Sequence, residues 1–164
     1  MRGQRSLQSL DDEFAQARGL EHSNLGAKGG ELIGEHVRVD ERQVRRVAIE
    51  RAAKGEKLFN RCKACHSIIA ADGSKVQAGG KTGPNLFGVI GRPIGSYPDF
   101  AYGTGLLALN AKGDVWDEAK LAAYIADPTA WVKTESGDAS VTAKMTFKMT
   151  SGAEDMAAYL ASVK

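Results

Sequence analysis

The spacing of hydrophobic residues predicts several short helices and is clearest at the C-terminal end of the chain. In residues 151–164 the apolar positions recur at the i, i+3, i+4, i+7 spacing of an amphipathic helix: Met156, Tyr159, Leu160 and Val163. Ser151 and Glu154 precede this pattern with three-residue spacing, which predicts a capping box. Residues 117–127 begin with acidic residues and keep their apolar residues on one face, so a second helix is predicted there, ending before Pro128.

Upstream of these helices, the pattern predicts helical structure that leads into a short cysteine motif. Asp40 can cap a helix through residues 41–55, and residues 54–66 continue the helical pattern with Leu58 and Phe59 on the buried side. Residues 67–101 are rich in loop signals, and no strand of convincing length is visible.

Composition divides the chain near residue 50. Residues 1–50 contain no Trp, Tyr, Cys or Pro, and we predict that they form a polar extension or linker with one short helix at 9–19. Residues 51–164 are predicted to form an all-α domain, a small bundle of short helices with long loops. Because such a bundle has a thin core, a large apolar cofactor is expected to complete it.

Charge and hydropathy exclude some functions. The 164 residues carry a net charge of only +2, which argues against a nucleic-acid partner, and no apolar run of about 18 residues is present, so no membrane-spanning segment is expected. Residues 51–164 hold 14 Lys and Arg against 11 Asp and Glu. Four of the lysines flank the motifs described below: Lys63, Lys81, Lys144 and Lys148. They form either ordinary solvated surface or a docking face for an acidic partner.

The only two cysteines, Cys62 and Cys65, are followed directly by His66. A thioredoxin-like dithiol requires a strand before the motif and a βαβ pattern, and neither is visible here. A structural zinc site requires four nitrogen or sulfur ligands, whereas the motif supplies three, with His66 adjacent to Cys65. The remaining histidines, His22 and His36, lie in the polar extension.

Cys-x-x-Cys-His is the attachment signature of haem c, and it uses every cysteine of the chain. Each thiol adds to one vinyl group of the porphyrin, and the adjacent imidazole lies beneath the iron. We therefore predict one covalent haem c bound through Cys62 and Cys65, with His66 as proximal ligand.

A methionine on the other side of the iron would favour electron transfer, because the thioether stabilises Fe(II) and occupies the position where oxygen would bind. Met156 lies on the apolar stripe of the last helix and Met1 at the chain end. Spacing alone leaves Met145 and Met149 as alternatives, since both lie in the loop before that helix.

The motifs "CKACH", "KTGPNLFGVIGR" and "KMTFKM", followed by a C-terminal helix with "AAYL", resemble those of the class I c-type cytochromes of mitochondrial type. The resemblance extends over about residues 54–164 and is strongest to the larger bacterial members, including the cytochrome c2 group. It implies the cytochrome c fold, with helices and loops wrapped around one haem.

The resemblance also implies roles for individual residues. Met145 would be the distal ligand, and the Pro84 carbonyl would accept the Nδ1 proton of His66. Donors to the haem propionates would be Arg92, Tyr102 and Trp116, and Tyr124 would approach the Met145 sulfur. Gly55, Phe59 and Tyr159 would form the contact between the first and last helices.

The resemblance implies an electron carrier rather than an enzyme. It would pass single electrons from a quinol–cytochrome c oxidoreductase to a terminal oxidase or a photosynthetic reaction centre, and it would dock its partners transiently at the lysine-rich haem edge. The alternative is a haem c domain of a larger or membrane-anchored redox complex, tethered through residues 1–50. A periplasmic location is expected, although the first residues lack the apolar stretch of a signal sequence.

Overall fold

The computed structural model describes residues 40–164, which form five α-helices, a 3-10 helix and one small hairpin. The helices are α1 (Glu41–Leu58), α2 (Thr104–Ala111), α3 (Glu118–Ala126), α4 (Pro128–Ser136) and α5 (Ala153–Ser162). The 3-10 helix, Phe59–Arg61, follows α1 directly, and strands β1 (Ile68–Ile69) and β2 (Lys75–Gln77) pair antiparallel. The predicted all-α class with long loops is therefore confirmed for this part of the chain.

Helix α1 begins where the sequence predicts. The Asp40 side chain accepts a hydrogen bond from the Arg42 backbone N–H at 3.0 Å, which satisfies one of the free donors of the first turn. The helix continues without a break across residue 50. Residues 1–39, including the predicted helix at 9–19, lie outside the described residues, so the division into an extension and a domain stays a prediction.

The first and last helices cross at Gly55. A β-carbon at this position would meet the Asp155 carbonyl oxygen and lie 2.6 Å from the Tyr159 Cβ, so only glycine permits this approach. Phe59, which is fully buried, packs edge-on against Tyr159 with 5.9 Å between the ring centroids. The predicted contact between these helices is confirmed, and it fixes the chain immediately before the cysteine motif.

The predicted capping box of the last helix is wrong, although the helix itself is confirmed. Gly152, not Ser151, is the N-cap of α5, with a left-handed φ of 80°, and glycine has no side chain that could cap the helix. The Glu154 carboxylate instead pairs with Arg51 of α1. The ion pair between α5 and α1 thus replaces the predicted capping contact between Glu154 and Ser151.

Asp127 lies between two helices. The predicted helix α3 ends just before it, and α4, which was not predicted, begins just after it at Pro128. The Asp127 carboxylate accepts a hydrogen bond from the Ala130 N–H at 3.1 Å and so caps α4, in which Pro128 occupies the first turn. The helix ends at Gly137, which has a φ of 73°. The buried residues of α4 are Pro128, Trp131 and Val132.

Helix α2 was also missed, because glycines surround its start and apolar residues cover most of its surface. Gly105 lies against α4, where an added β-carbon would be 2.6 Å from the Val132 Cβ. Leu106 and Leu109 are buried beside this contact.

Long loops are held in place by backbone pairing rather than by regular sheets. The Gly91 N–H donates to the Trp116 carbonyl at 2.8 Å, and the Trp116 N–H donates to the Arg92 carbonyl at 3.0 Å. The Ile94 N–H donates to the Asp114 carbonyl at 2.9 Å. The loop before α2 is thereby fixed against the segment before α3.

We expect Gly55→Ala to lower the free energy of unfolding by about 1–3 kcal/mol, the usual effect of forcing a methyl group into a packed contact. Helix propensity acts in the opposite direction, because alanine is favoured over glycine inside a helix by roughly 1 kcal/mol. Urea unfolding followed by circular dichroism measures the change. The control Ala53→Gly, at an exposed position of α1, should lose only the propensity difference. A Gly55→Ala protein more stable than the wild type would contradict the close helix crossing.

Candidate functional site

The cysteine motif forms a hydrogen-bonded turn that continues the helical path of α1. The Cys62 N–H donates to the Phe59 carbonyl at 2.8 Å, and the His66 N–H donates to the Cys62 carbonyl at 2.9 Å. Both cysteines are free thiols, with Cys62 half-buried and Cys65 exposed. Burial raises the pKa of the Cys62 thiol, and the neighbouring Arg61 opposes that shift. Two thiols and one imidazole are thus presented by a single short turn.

The His66 ring is oriented by one specific hydrogen bond. Its Nδ1–H donates to the Pro84 carbonyl at 2.8 Å, which leaves Nε2 as the free nitrogen. Burial lowers the pKa of His66, while the bond to Pro84 opposes the shift, so the neutral, metal-binding form is favoured. Gly83 lies against the ring: a β-carbon there would come within 2.6 Å of Nδ1. Gly83 lies within the KTGPNLFGVIGR motif, but no role was predicted for it.

Arg92 and Tyr102 meet at Tyr97. The Arg92 guanidinium donates to the Asn85 carbonyl at 3.0 Å and to the Phe87 carbonyl, and it lies over the Tyr97 ring at 5.2 Å from the centroid. The Tyr97 N–H donates to the Tyr102 hydroxyl at 3.2 Å, and burial raises the pKa of Tyr102. Since a guanidinium has five N–H groups, donors remain on Arg92 for a further acceptor.

Trp116 and Tyr124 belong to a buried aromatic cluster whose third member, Trp131, was not predicted. The ring centroids of Trp116 and Tyr124 are 5.3 Å apart, and those of Trp116 and Trp131 are 5.4 Å apart and nearly parallel. Burial raises the pKa of Tyr124 well above its usual value, so its hydroxyl stays protonated. An isolated tryptophan after Pro128 carried no sequence signal that linked it to the site.

The methionines differ in burial. Met149 and Met156 are 1% and 0% exposed and belong to the hydrophobic core, whereas Met145 is half-buried at the edge of that core. The Met149 N–H donates to the Ile125 carbonyl at 3.0 Å, so the loop is fixed to α3 beyond Met145.

The loop is also fixed on the other side of Met145. The Lys144 ammonium donates to the Ala101 carbonyl at 2.6 Å, and the Gly105 N–H donates to the Thr142 carbonyl at 3.1 Å. Met145 is therefore carried by a short segment attached at both ends, which restricts where its sulfur can lie.

The predicted surface cations lie in different environments. Lys63 is half-buried and Lys81 is exposed, and neither forms an ion pair within residues 40–164. Lys148 pairs with Asp127 at 2.7 Å, and this hydrogen bond holds the pKa of Asp127 below its usual range. Arg61 lies over the Phe147 ring at 5.2 Å from the centroid.

The chemistry of these donors fits haem c. Two free thiols can form thioether bonds, a neutral imidazole with a free Nε2 can bind iron, and glycine at position 83 leaves the room that this imidazole occupies. Within the described part of the chain, His, Cys, Asp and Glu form no cluster of three or more that would hold a separate metal ion. None of the helices in residues 40–164 is both long and apolar enough to cross a membrane.

No protein-family model matches the chain. Cytochrome c2 of Rhodobacter capsulatus is 54% identical over 112 residues, which are 68% of this chain and 82% of the relative. Cytochrome c-550 of Paracoccus versutus is 50% identical over 112 residues, 67% of this chain and 73% of the relative. The solved structure of the Rhodobacter capsulatus cytochrome c2 superposes with a TM-score of 0.67 at 53% identity, covering 68% of this chain and 96% of that one.

These similarities agree with the donor set and confirm the cytochrome c fold that the sequence motifs imply. The chain therefore belongs to the cytochrome c2 group of class I c-type cytochromes, and it is an electron-transfer protein that carries one covalent haem c.

Proposed function

We propose that this protein carries single electrons in the periplasm from a quinol–cytochrome c oxidoreductase to a terminal oxidase or a photosynthetic reaction centre. The observation that carries the proposal is the orientation of His66, whose Nδ1–H is committed to the Pro84 carbonyl immediately after the two free thiols. The periplasmic location follows from the chemistry, since haem c is normally attached outside the cytoplasm.

In the proposed site, Cys62 and Cys65 would attach the haem, and His66 and Met145 would bind its iron. The bound haem supplies a one-electron couple without bond making or breaking in a substrate. The Pro84 carbonyl makes the His66 imidazole a stronger donor by accepting its Nδ1–H. The loop attachments around Met145 limit the movement of its sulfur, so a Met145 ligand would need little rearrangement between the two oxidation states of the haem.

The remaining predicted residues would position the haem carboxylates and exclude water. Arg92 keeps unused N–H groups beside Tyr97 and Tyr102, and these can neutralise a propionate that would be costly to bury alone. Trp116 and Tyr124, packed against each other, would close the site on the side of α3.

Partner docking would use the cations beside the cysteine motif. Lys63, Lys81 and Arg61 supply positive charge near the attachment turn, and the partly exposed Phe147 ring adds apolar surface beside Arg61. Lys148 would contribute less, because Asp127 offsets its charge. Such a surface gives fast, weak and salt-sensitive association, which suits a carrier that must also leave its partner.

Covalent attachment provides the first test. We expect acid–acetone treatment to leave the haem on the wild-type polypeptide, and intact-mass analysis to give the chain plus one haem. The double variant Cys62→Ala, Cys65→Ala should give the mass of the polypeptide alone. Wild-type protein that releases its pigment into acetone would refute the thioether bonds.

Replacing each loop methionine tests the distal ligand. Met145→Ala should abolish the weak sulfur-to-Fe(III) absorption band at the red end of the spectrum and allow carbon monoxide to bind the reduced protein. Met149→Ala should retain the band but lower the free energy of unfolding by about 2–5 kcal/mol, because it leaves a cavity in the core. Loss of the band in Met149→Ala with its retention in Met145→Ala would reverse the assignment.

Charge reversal tests the docking surface. Lys81→Glu should slow electron transfer to a purified oxidase roughly tenfold at low ionic strength, because steering by opposite charges raises association rates by about 10–1000-fold. The difference should vanish near 1 M salt, where the Debye length is about 3 Å. Lys54→Glu, an equal charge change at an exposed position of α1, is the control. Equal slowing by both variants would show that net charge, not a docking surface, controls the rate.

A further inference from the structure

The side chain of Asn85, a loop residue, forms three hydrogen bonds with backbone groups. Its Oδ1 accepts from the Ile69 backbone N–H at 2.9 Å, and its Nδ2 donates to the Ile69 carbonyl at 2.8 Å. One amide side chain thus pairs with both backbone groups of a single residue of β1, as a neighbouring strand would. The same Oδ1 also accepts from the Phe87 N–H at 3.1 Å, which fixes the backbone on the C-terminal side of Asn85.

The backbone of Asn85 is held as well. Its carbonyl accepts a hydrogen bond from the Arg92 guanidinium at 3.0 Å, and Arg92 also donates to the Phe87 carbonyl. Asn85 is therefore fixed by its side chain on β1 and by its carbonyl on Arg92. Both sets of contacts are partly buried, so water competes with them less than at the surface.

These contacts matter because Asn85 follows Pro84, whose carbonyl accepts the Nδ1–H of His66. Proline has no N–H, so Pro84 cannot anchor itself through a backbone donor. The nearest anchors along the chain are the Gly83 N–H, which donates to the Cys65 carbonyl at 2.8 Å, and the contacts of Asn85 on the other side. The position of the Pro84 carbonyl is therefore set by the residues that flank it.

We propose that Asn85 is a positioning residue for the proximal ligand: by pairing its side-chain amide with Ile69, it holds the Pro84 carbonyl in hydrogen-bonding position beside His66 Nδ1. The inference rests on the proposed role of His66 as axial ligand. It adds a function for Asn85, which acts on the iron only through Pro84 and His66. Loosening Asn85 should lengthen the Pro84–His66 hydrogen bond, make the imidazole a weaker donor and favour Fe(II) over Fe(III).

The variant Asn85→Ala in the holoprotein tests this, with Asn110→Ala as matched control. Asn110 Nδ2 also donates to a backbone carbonyl, that of Ile94, at 2.7 Å, but its side chain forms no hydrogen bond with residues 83–87. Both variants lose side-chain-to-backbone hydrogen bonds and should lose some stability. A role limited to stability would make them alike in every other respect.

Two measurements separate positioning from stability. The midpoint potential should become more positive in Asn85→Ala and stay at the wild-type value in Asn110→Ala. Hydrogen exchange of the His66 Nδ1 proton, followed by NMR of the reduced protein, should become about tenfold faster in Asn85→Ala only, which corresponds to about 1.4 kcal/mol of lost protection. Asn85→Ala protein with unchanged potential and exchange would overturn the proposal.

A milder variant keeps the test decisive if Asn85→Ala fails to fold. Asn85→Asp retains an oxygen that can accept from Ile69 and Phe87 but loses the donor to the Ile69 carbonyl, so exchange of the His66 Nδ1 proton should become faster by less than tenfold. Exchange is the readout for this variant, because the added negative charge itself favours Fe(III) and opposes the expected rise in potential. The sulfur-to-Fe(III) band is recorded for every variant. If the band is intact and exchange of the His66 Nδ1 proton is unchanged in the Asn85 variants, the role of Asn85 is refuted while the His66–Met145 ligation stands. If the wild type lacks the band, the ligation itself is refuted.

Discussion

Helices α1 and α5 approach each other so closely that residue 55 has no room for a β-carbon, and the attachment turn depends on this contact. Phe59, one turn after Gly55, is fully buried against Tyr159, so the chain enters the cysteine motif from a fixed point. The turn at Cys62–His66 then follows without freedom to move away from the core. A covalent cofactor held by two thiols of one short turn requires such a fixed origin, because its other contacts come from loops far along the chain.

One of those loops is positioned by a carboxylate that serves two structures. Asp127 separates α3 from α4 and caps the latter, and it also pairs with Lys148 in the loop that carries Met145. The proximal and distal sides of the proposed haem site are thus supported differently. The proximal side depends on helix crossing and on the segment from Gly83 to Phe87, and the distal side depends on hydrogen bonds at both ends of a short loop.

The sequence predicted the parts that local chemistry determines. The Cys-x-x-Cys-His motif, the Asp40 cap and the apolar stripes of α3 and α5 are all readable within a few residues. Helices α2 and α4 escaped prediction, because Gly105 and Pro128 are usual loop signals, and their acceptance in these helices depends on contacts with Val132 and Asp127.

The details of the site depend on distant pairings in the same way. The capping box failed because Glu154 pairs with α1, and periodicity could not distinguish Met145 from Met149, which differ in burial. Asn85 stood inside a recognised motif, yet its partner Ile69 lies 16 residues away, and no spacing rule connects them. The residue types thus indicated haem attachment, whereas the folded structure was needed to show which contacts hold the haem-binding residues in place.

The stacked pair of Trp116 and Trp131 has a spectroscopic consequence. These are the only tryptophans of the chain, and their indoles lie in one cluster beside Tyr124. Intrinsic fluorescence excited at the red edge of indole absorption therefore originates from a single corner of the molecule, between α3 and α4. Because a bound haem quenches indole emission by energy transfer, a rise of emission during denaturation follows the separation of this tryptophan cluster from the haem. Separation of α1 from α5 instead alters the surroundings of Phe59 and Tyr159.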